Sequence, residues 1–97
     1  MFATVLRGQV SHEDWTHLEQ QYQLMLKSVP HELVESFLMQ DHTHPTQWLI
    51  ITIWKSENDY VTARKEKKTE ACEDLFCAAG SVPERSFHHI KRGYFRV

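Results

Sequence analysis

No long hydrophobic run occurs in this sequence. The longest apolar stretch, Trp48 to Trp54, is broken by Thr52, whereas a membrane-crossing helix needs about 20 apolar residues. A membrane partner is therefore not expected. Neither sign of charge is in marked excess: 11 Lys and Arg stand against 13 Asp and Glu, for a net charge of −2. The chain thus lacks the electrostatic footprint of a nucleic-acid binder. Cysteine is scarce too, with only Cys72 and Cys77. Five positions apart on a helix, they diverge by roughly 140°, too far for an easy mutual disulfide. The opening "MFATVLRGQV" has no small-residue cleavage site and carries Arg7 behind its apolar residues, so it reads as a strand, not a signal peptide. Reduced thiols without an export signal point to the cytoplasm. Linkers, repeats and low-complexity segments are missing as well, so residues 1–97 are expected to form one domain.

What is present is a regular alternation of elements. Phe2 to Val10 reads as a strand. Ser11 offers a helix N-cap, and Trp15, Leu18, Tyr22, Met25, Leu26 and Val29 follow at three-four spacing, which builds one apolar helix face. Pro30 ends it. "ELVESFLMQ", Glu32 to Gln40, and Gln47 to Lys55 are strands joined by the turn "DHTHPT". Ser56 caps the next helix, with Asp59 in the reciprocal position. A helical stretch through Ala71, Cys72, Leu75, Phe76 and Ala79 follows a break near Thr69 and stops at Gly80. Both cysteines then read as small buried hydrophobes. Glu84 to Val97 completes the pattern as a last strand.

This β-α-β-β-α-β order predicts an α+β, ferredoxin-like fold, a four-stranded antiparallel sheet with the helices on one face. The third strand adds a condition. Trp48, Ile50 and Trp54 point one way while Leu49, Ile51 and Ile53 point the other. A sheet with one wet face alternates apolar with polar, and this strand does not. Helices cover one face only, so the other is expected to meet a second copy of the chain. The sequence asks for a homodimer.

"WLIITIWKSENDY", Trp48 to Tyr60, carries a resemblance. A hydrophobic strand ending in Trp54, then Ser56 and an acidic helix start leading to Tyr60, resembles the antibiotic biosynthesis monooxygenase family of dimeric α+β barrels. The first strand and the final "GYFRV" fit the same plan. The resemblance implies a homodimer joined through its sheets, with a pocket in each subunit between sheet and helices. It also implies either oxygenation of quinol-like aromatics without metal or flavin, or heme degradation. Family enzymes often place a histidine, or in the heme-degrading branch a tryptophan, nine residues after the strand-end tryptophan, and that position here is Ala63. No histidine lies between Trp54 and Phe87, and Glu73 falls near the place of the axial ligand. The first strand, "FATVL", lacks the asparagine of the heme-degrading branch. A carboxylate does not replace imidazole on heme iron, so no heme, and no other cofactor, is expected.

Seven histidines raise the question of a metal. His42 and His44 sit in the turn beside Asp41, while His88 and His89, as neighbours on a strand, point to opposite faces. Zinc sites need three or four converging ligands, so solvated turn histidines are the better reading and no metal is expected. His12 and His17 fall on the exposed side of the first helix. The basic run "ARKEKK" is a solvated helix face.

The aromatic residues Trp15, Tyr22, Phe37 and Trp54 allow two readings. They line a pocket for a planar ligand, or they are simply core. Trp15 and Tyr22 are seven residues apart on one helix face. In the pocket reading Tyr22, or one of His88 and His89, supplies a proton or hydrogen bond to a phenolic substrate. Two functions follow. One is a cofactor-independent monooxygenase acting on a small aromatic or quinol-like compound. The other is a non-catalytic dimeric barrel that binds a small hydrophobic molecule or a protein partner.

Overall fold

A computed structural model describes residues 1–94 and 96, with only the backbone at Glu70. Four strands, β1 (Phe2–Gln9), β2 (Leu33–Gln40), β3 (Gln47–Trp54) and β4 (Glu84–His89), form one sheet. Their order is β2-β3-β1-β4 and every pairing is antiparallel. Three α-helices, α1 (Trp15–Met25), α2 (Glu57–Lys65) and α3 (Glu70–Ala78), connect and cover it. The α+β, ferredoxin-like class predicted from the pattern is the class observed.

The helix ends explain the connections. A 3₁₀ turn, His12–Asp14, precedes α1, and Ser11 makes no side-chain cap. By contrast, Ser56 accepts a hydrogen bond from the Asp59 amide at 3.1 Å and starts α2 as expected. Gly80, with φ of +77°, ends α3. There the Gly80 amide donates to Cys77 and the Ser81 amide to Phe76, the paired bonds that satisfy the last carbonyls of a helix. The same pair closes α2, from Lys67 to Arg64 and from Lys68 to Ala63, but here the left-handed residue is Lys67, with φ of 58°. This break divides the second helical region near Thr69.

Two boundaries differ from the sequence reading. α1 stops at Met25 instead of running on to Pro30, because bonds of the tighter Lys27-to-Leu24 kind take over. β4 ends at His89, where its partner β1 begins at Phe2 and leaves no further strand to pair with. Residues 95 and 97 of the expected last strand lie outside the described residues.

Side chains alternate across the sheet. Phe2, Thr4 and Leu6 of β1 and Trp48, Ile50, Thr52 and Trp54 of β3 turn toward the helices and are buried. They fall into two clusters. One joins Leu6, Ile50 and Trp48 to Leu18 and Tyr22 of α1 and Phe76 of α3. The other joins Phe2 and Trp54 to Tyr60 and Ala63 of α2. Between them stands a cross-strand pair of short polar residues, Thr4 opposite Thr52. The opposite face presents Val5, Leu49, Ile51 and Ile53, flanked on β2 by the exposed Phe37 and Met39. No helix covers it.

Candidate functional site

The threonine pair sets the site. Two small side chains between layers of large ones leave space, and a cavity of about 50 Å³ lies against Thr4 and Thr52, bounded by Leu6 and Ile50 on one side and Trp54 and Tyr60 on the other. Met25 of α1, Cys72 of α3 and the Ser28–Pro30 turn complete the wall, with Lys68 and Thr69 from the break between α2 and α3. Trp54 is held in place by its own indole, whose Nε1 donates to Thr4 Oγ1 at 3.2 Å. The tryptophan that ends β3 is thus fixed by the threonine that opens the cavity.

Arg85 of β4 closes one side. It stands opposite Leu6 on the helix-facing side of the sheet, and its side chain is only 16% exposed. Its Nη2 pairs with Glu73 of α3, and its Nη1 donates to Tyr60 Oη at 3.2 Å. Arg64 Nη1 donates to the same phenol oxygen at 3.5 Å. Tyr60 Oη therefore receives two cationic donors, and among the described residues its own proton has no acceptor. Beyond Arg85 lies a second, outer cleft of about 420 Å³, bounded by Arg64, Glu73, Pro83 and Phe87. Arg85 and Leu6 belong to both spaces.

The sequence-predicted site residues are not brought together. Trp54 alone lines the cavity. Tyr22 is buried in the first cluster and its Oη shares a hydrogen bond of 2.7 Å with Ser36 Oγ. Burial pushes its pKa up, partly offset by that bond. Trp15 packs beside Trp48 at 6.0 Å between ring centroids, and its Nε1 donates to Val10 O. Phe37 requires a correction: as the β2 partner of Ile51 it lies on the uncovered face, 48% exposed, away from the helices. His89 faces the helix side but is exposed at the sheet edge, 5.3 Å from the Phe2 ring, and does not reach the cavity. His88 is on the other face, with its Nε2 2.9 Å from Ser86 Oγ.

Three residues that carry the site were missed. Thr52 was visible as the break in an apolar strand, and Tyr60 as the end of the quoted motif. Arg85 could have been found as the cation that alternates in phase with Phe87 and His89 on the last strand.

The cysteines differ from each other. Cys72 lies within 3.5 Å of Met25 Sδ, and burial pushes its thiol up to about 11. Cys77 is exposed, against the expectation of a buried hydrophobe, because it is on the outer side of α3. The turn histidines accompany an Asp41 whose Oδ1 accepts the backbone amides of His44 and Thr43. Those bonds hold its carboxyl below the usual range, the His44 amide foremost. Among the described residues, no three His, Cys, Asp or Glu side chains are grouped to hold a metal ion. Among the described residues no imidazole lines the cavity, and burial pushes its one lining thiol, Cys72, up to about 11.

No family model matches the chain, and no curated protein matches it. Solved structures do. A Deinococcus radiodurans protein assigned as an antibiotic biosynthesis monooxygenase superposes with a TM-score of 0.72 at 14% identity, covering 100% of this chain and 99% of that one. SnoaB, a cofactor-independent oxygenase from Streptomyces nogalater, gives 0.67 at 13% identity, over 95% of this chain and 94% of its own. A mutant of MhuD, solved with two manganese protoporphyrin IX bound per active site, gives 0.72 at 9% identity, over 99% of this chain and 100% of its own. Over nearly its whole length, this chain has the fold shared by the antibiotic biosynthesis monooxygenases and their porphyrin-binding neighbour.

Proposed function

We propose that this single domain is an oxygenase of the antibiotic biosynthesis monooxygenase type, acting without metal or flavin on a small aromatic or quinol-like compound. The observation that carries the reading is the inner cavity taken together with the outer cleft that shares Arg85 and Leu6 with it, a space between sheet and helices walled by Trp54, Tyr60 and Phe87 and floored by Thr4 and Thr52. SnoaB, of the same fold, is a cofactor-independent oxygenase. Deprotonation of the substrate makes it electron-rich enough to pass an electron to oxygen, and the protein's part is a dry, oriented pocket. Tyr60 takes the role first assigned to Tyr22, because its phenol proton has no acceptor among the described residues while Tyr22 is occupied by Ser36. The aromatic walls favour planar ligands by roughly 0.5–1.5 kcal/mol per well-placed ring pair.

The active unit in this proposal is a homodimer. Val5, Leu49, Ile51, Ile53, Phe37 and Met39 form one apolar surface that no helix covers, and a second copy supplies an identical complement. One observation favours the non-catalytic alternative, a dimeric barrel that only binds a hydrophobic molecule: Ala63, wholly buried, presents no polar group on α2. Oxygen uptake with 1,4-naphthohydroquinone separates the two. Uptake above the autoxidation rate, abolished in Tyr60→Phe, supports the oxygenase. Saturable binding without uptake supports the alternative.

A further inference from the structure

The cavity of about 50 Å³ holds a few waters, not an aromatic ring. Small-molecule sites span roughly 300–1,000 Å³, so a ring needs the outer cleft of about 420 Å³ as well. The two spaces meet at Leu6 and at the Arg85 side chain, which is held by its partner Glu73 on the outer side. The charges around that junction are uneven. Among the described residues the inner cavity is lined by two cations, Arg85 and Lys68, the latter paired with Glu32 and Glu66, and by no carboxylate. Among the described residues the outer cleft adds Arg64 against Glu73 alone. Glu73 is the weaker holder of the pair: its side chain is 40% exposed against 16% for Arg85, and half-exposed ion pairs are screened by water. A guanidinium has five N–H donors in a planar fork suited to two-oxygen acceptors. Among the described residues Arg85 directs them only to Glu73 and Tyr60.

We infer that the ligand carries an anionic oxygen group on its ring and that Arg85 reads it, exchanging Glu73 for the ligand and merging the two spaces as it turns. This rests on the reading of the cavity as an aromatic site. The ligand then arrives from the β4 side, past Pro83 and Phe87. The anion stays beside Tyr60, whose phenol proton, without an acceptor among the described residues, adds a second donor to it, and the ring extends inward toward Trp54. Arg85 is the residue that selects among aromatic compounds by charge.

The test uses a matched pair of probes, 2-naphthoate and its neutral isostere 2-naphthamide, titrated into the full chain and followed by tryptophan fluorescence and calorimetry. The wild-type protein binds naphthoate about tenfold or more tighter, the scale of a charge-assisted pair. Arg85→Gln brings the ratio close to one, whatever it does to naphthamide affinity by itself, and Arg85→Lys, which keeps the charge but not the fork, falls between. Glu73→Gln raises the preference for naphthoate over naphthamide about threefold or more, since it removes the competing carboxylate. Equal binding of the two probes by the wild type, or a preference that survives Arg85→Gln, overturns the inference and leaves the aromatic site standing. Should Arg85→Gln fail to fold, the decision passes to Glu73→Gln, and no rise in preference there overturns it equally. Binding of neither probe overturns the aromatic site and this inference with it.

Discussion

Gly8 is a small residue with a large burden. A Cβ built on it would lie 2.4 Å from Phe76 Cδ1, 2.8 Å from Cε1 and 3.0 Å from Cγ. Carbon atoms pack at about 3.5–4.0 Å, so in Gly8→Ala the ring must retreat by about 1 Å. Phe76 has nowhere to go: it is fully buried among Leu6, Leu18, Trp48 and Ile50. Its backbone carbonyl also accepts the Ser81 amide at 2.9 Å in the closing turn of α3. Overpacking of this kind costs about 1–3 kcal/mol. Against it stands a gain of about 0.5–1 kcal/mol from the lower chain entropy of alanine in the unfolded state. The net expectation is a loss of about 1–2 kcal/mol, or roughly 5–15 °C in Tm for a domain of this size. Urea unfolding followed by tryptophan fluorescence, with calorimetry beside it, reads this directly. A companion double variant, Gly8→Ala with Phe76→Leu, should be less destabilised than the sum of its parts, because the second change removes the ring that clashes. Wild-type stability in Gly8→Ala, or strict additivity in the double variant, refutes the argument that β1 and α3 approach because position 8 has no side chain.

Sedimentation velocity tests the dimer: the wild type should be dimeric at micromolar concentration, and Ile51→Asp, which places a carboxylate in the apolar face, should lose about 3 kcal/mol or more and dissociate. A stable wild-type monomer would sink that proposal. Iodoacetamide at pH 8 should label Cys77 and spare Cys72, whose thiol is pushed up to about 11 by burial; the thiol's contribution to stability is complete below the ordinary thiol range and is lost as pH rises from there toward 11, where only the unfolded chain ionises. Lys67→Gly should stabilise the protein by about 1 kcal/mol in thermal unfolding, since glycine adopts φ of 58° without the Cβ conflict, and an unchanged or lower Tm counts against that conformation. Tyr22→Phe should cost about 1 kcal/mol through the orphaned Ser36 hydroxyl yet leave naphthoate affinity intact, whereas Tyr60→Phe should weaken it; the reverse pattern would restore Tyr22 to the site.

The element order was legible in the chain because each signal is local. Hydrophobic period, the Ser56 cap and the Gly80 stop act within a few residues, so no distant partner is needed to read them. The two-faced third strand was legible for the same reason, since alternation by itself assigns Ile51 and Trp54 to opposite sides. Even the uncovered apolar face follows from counting which elements can cover a sheet.

The site was decided by tertiary structure, because it depends on register between segments far apart in sequence. Phe37 looked like a pocket residue until its pairing with Ile51 put it on the uncovered face; a bulge between Leu33 and Glu35 intervenes, and the strand's own alternation does not announce it. Tyr22 looked free until β2 brought Ser36 to 2.7 Å. Thr4 and Thr52 are ordinary singly and make a cavity only when the β1–β3 register sets them opposite each other. Arg85 meets Tyr60 and Glu73 from three different elements. Local periodicity sets which face a side chain belongs to; long-range pairing sets which side chains share a space, and a cavity is a property of that second kind.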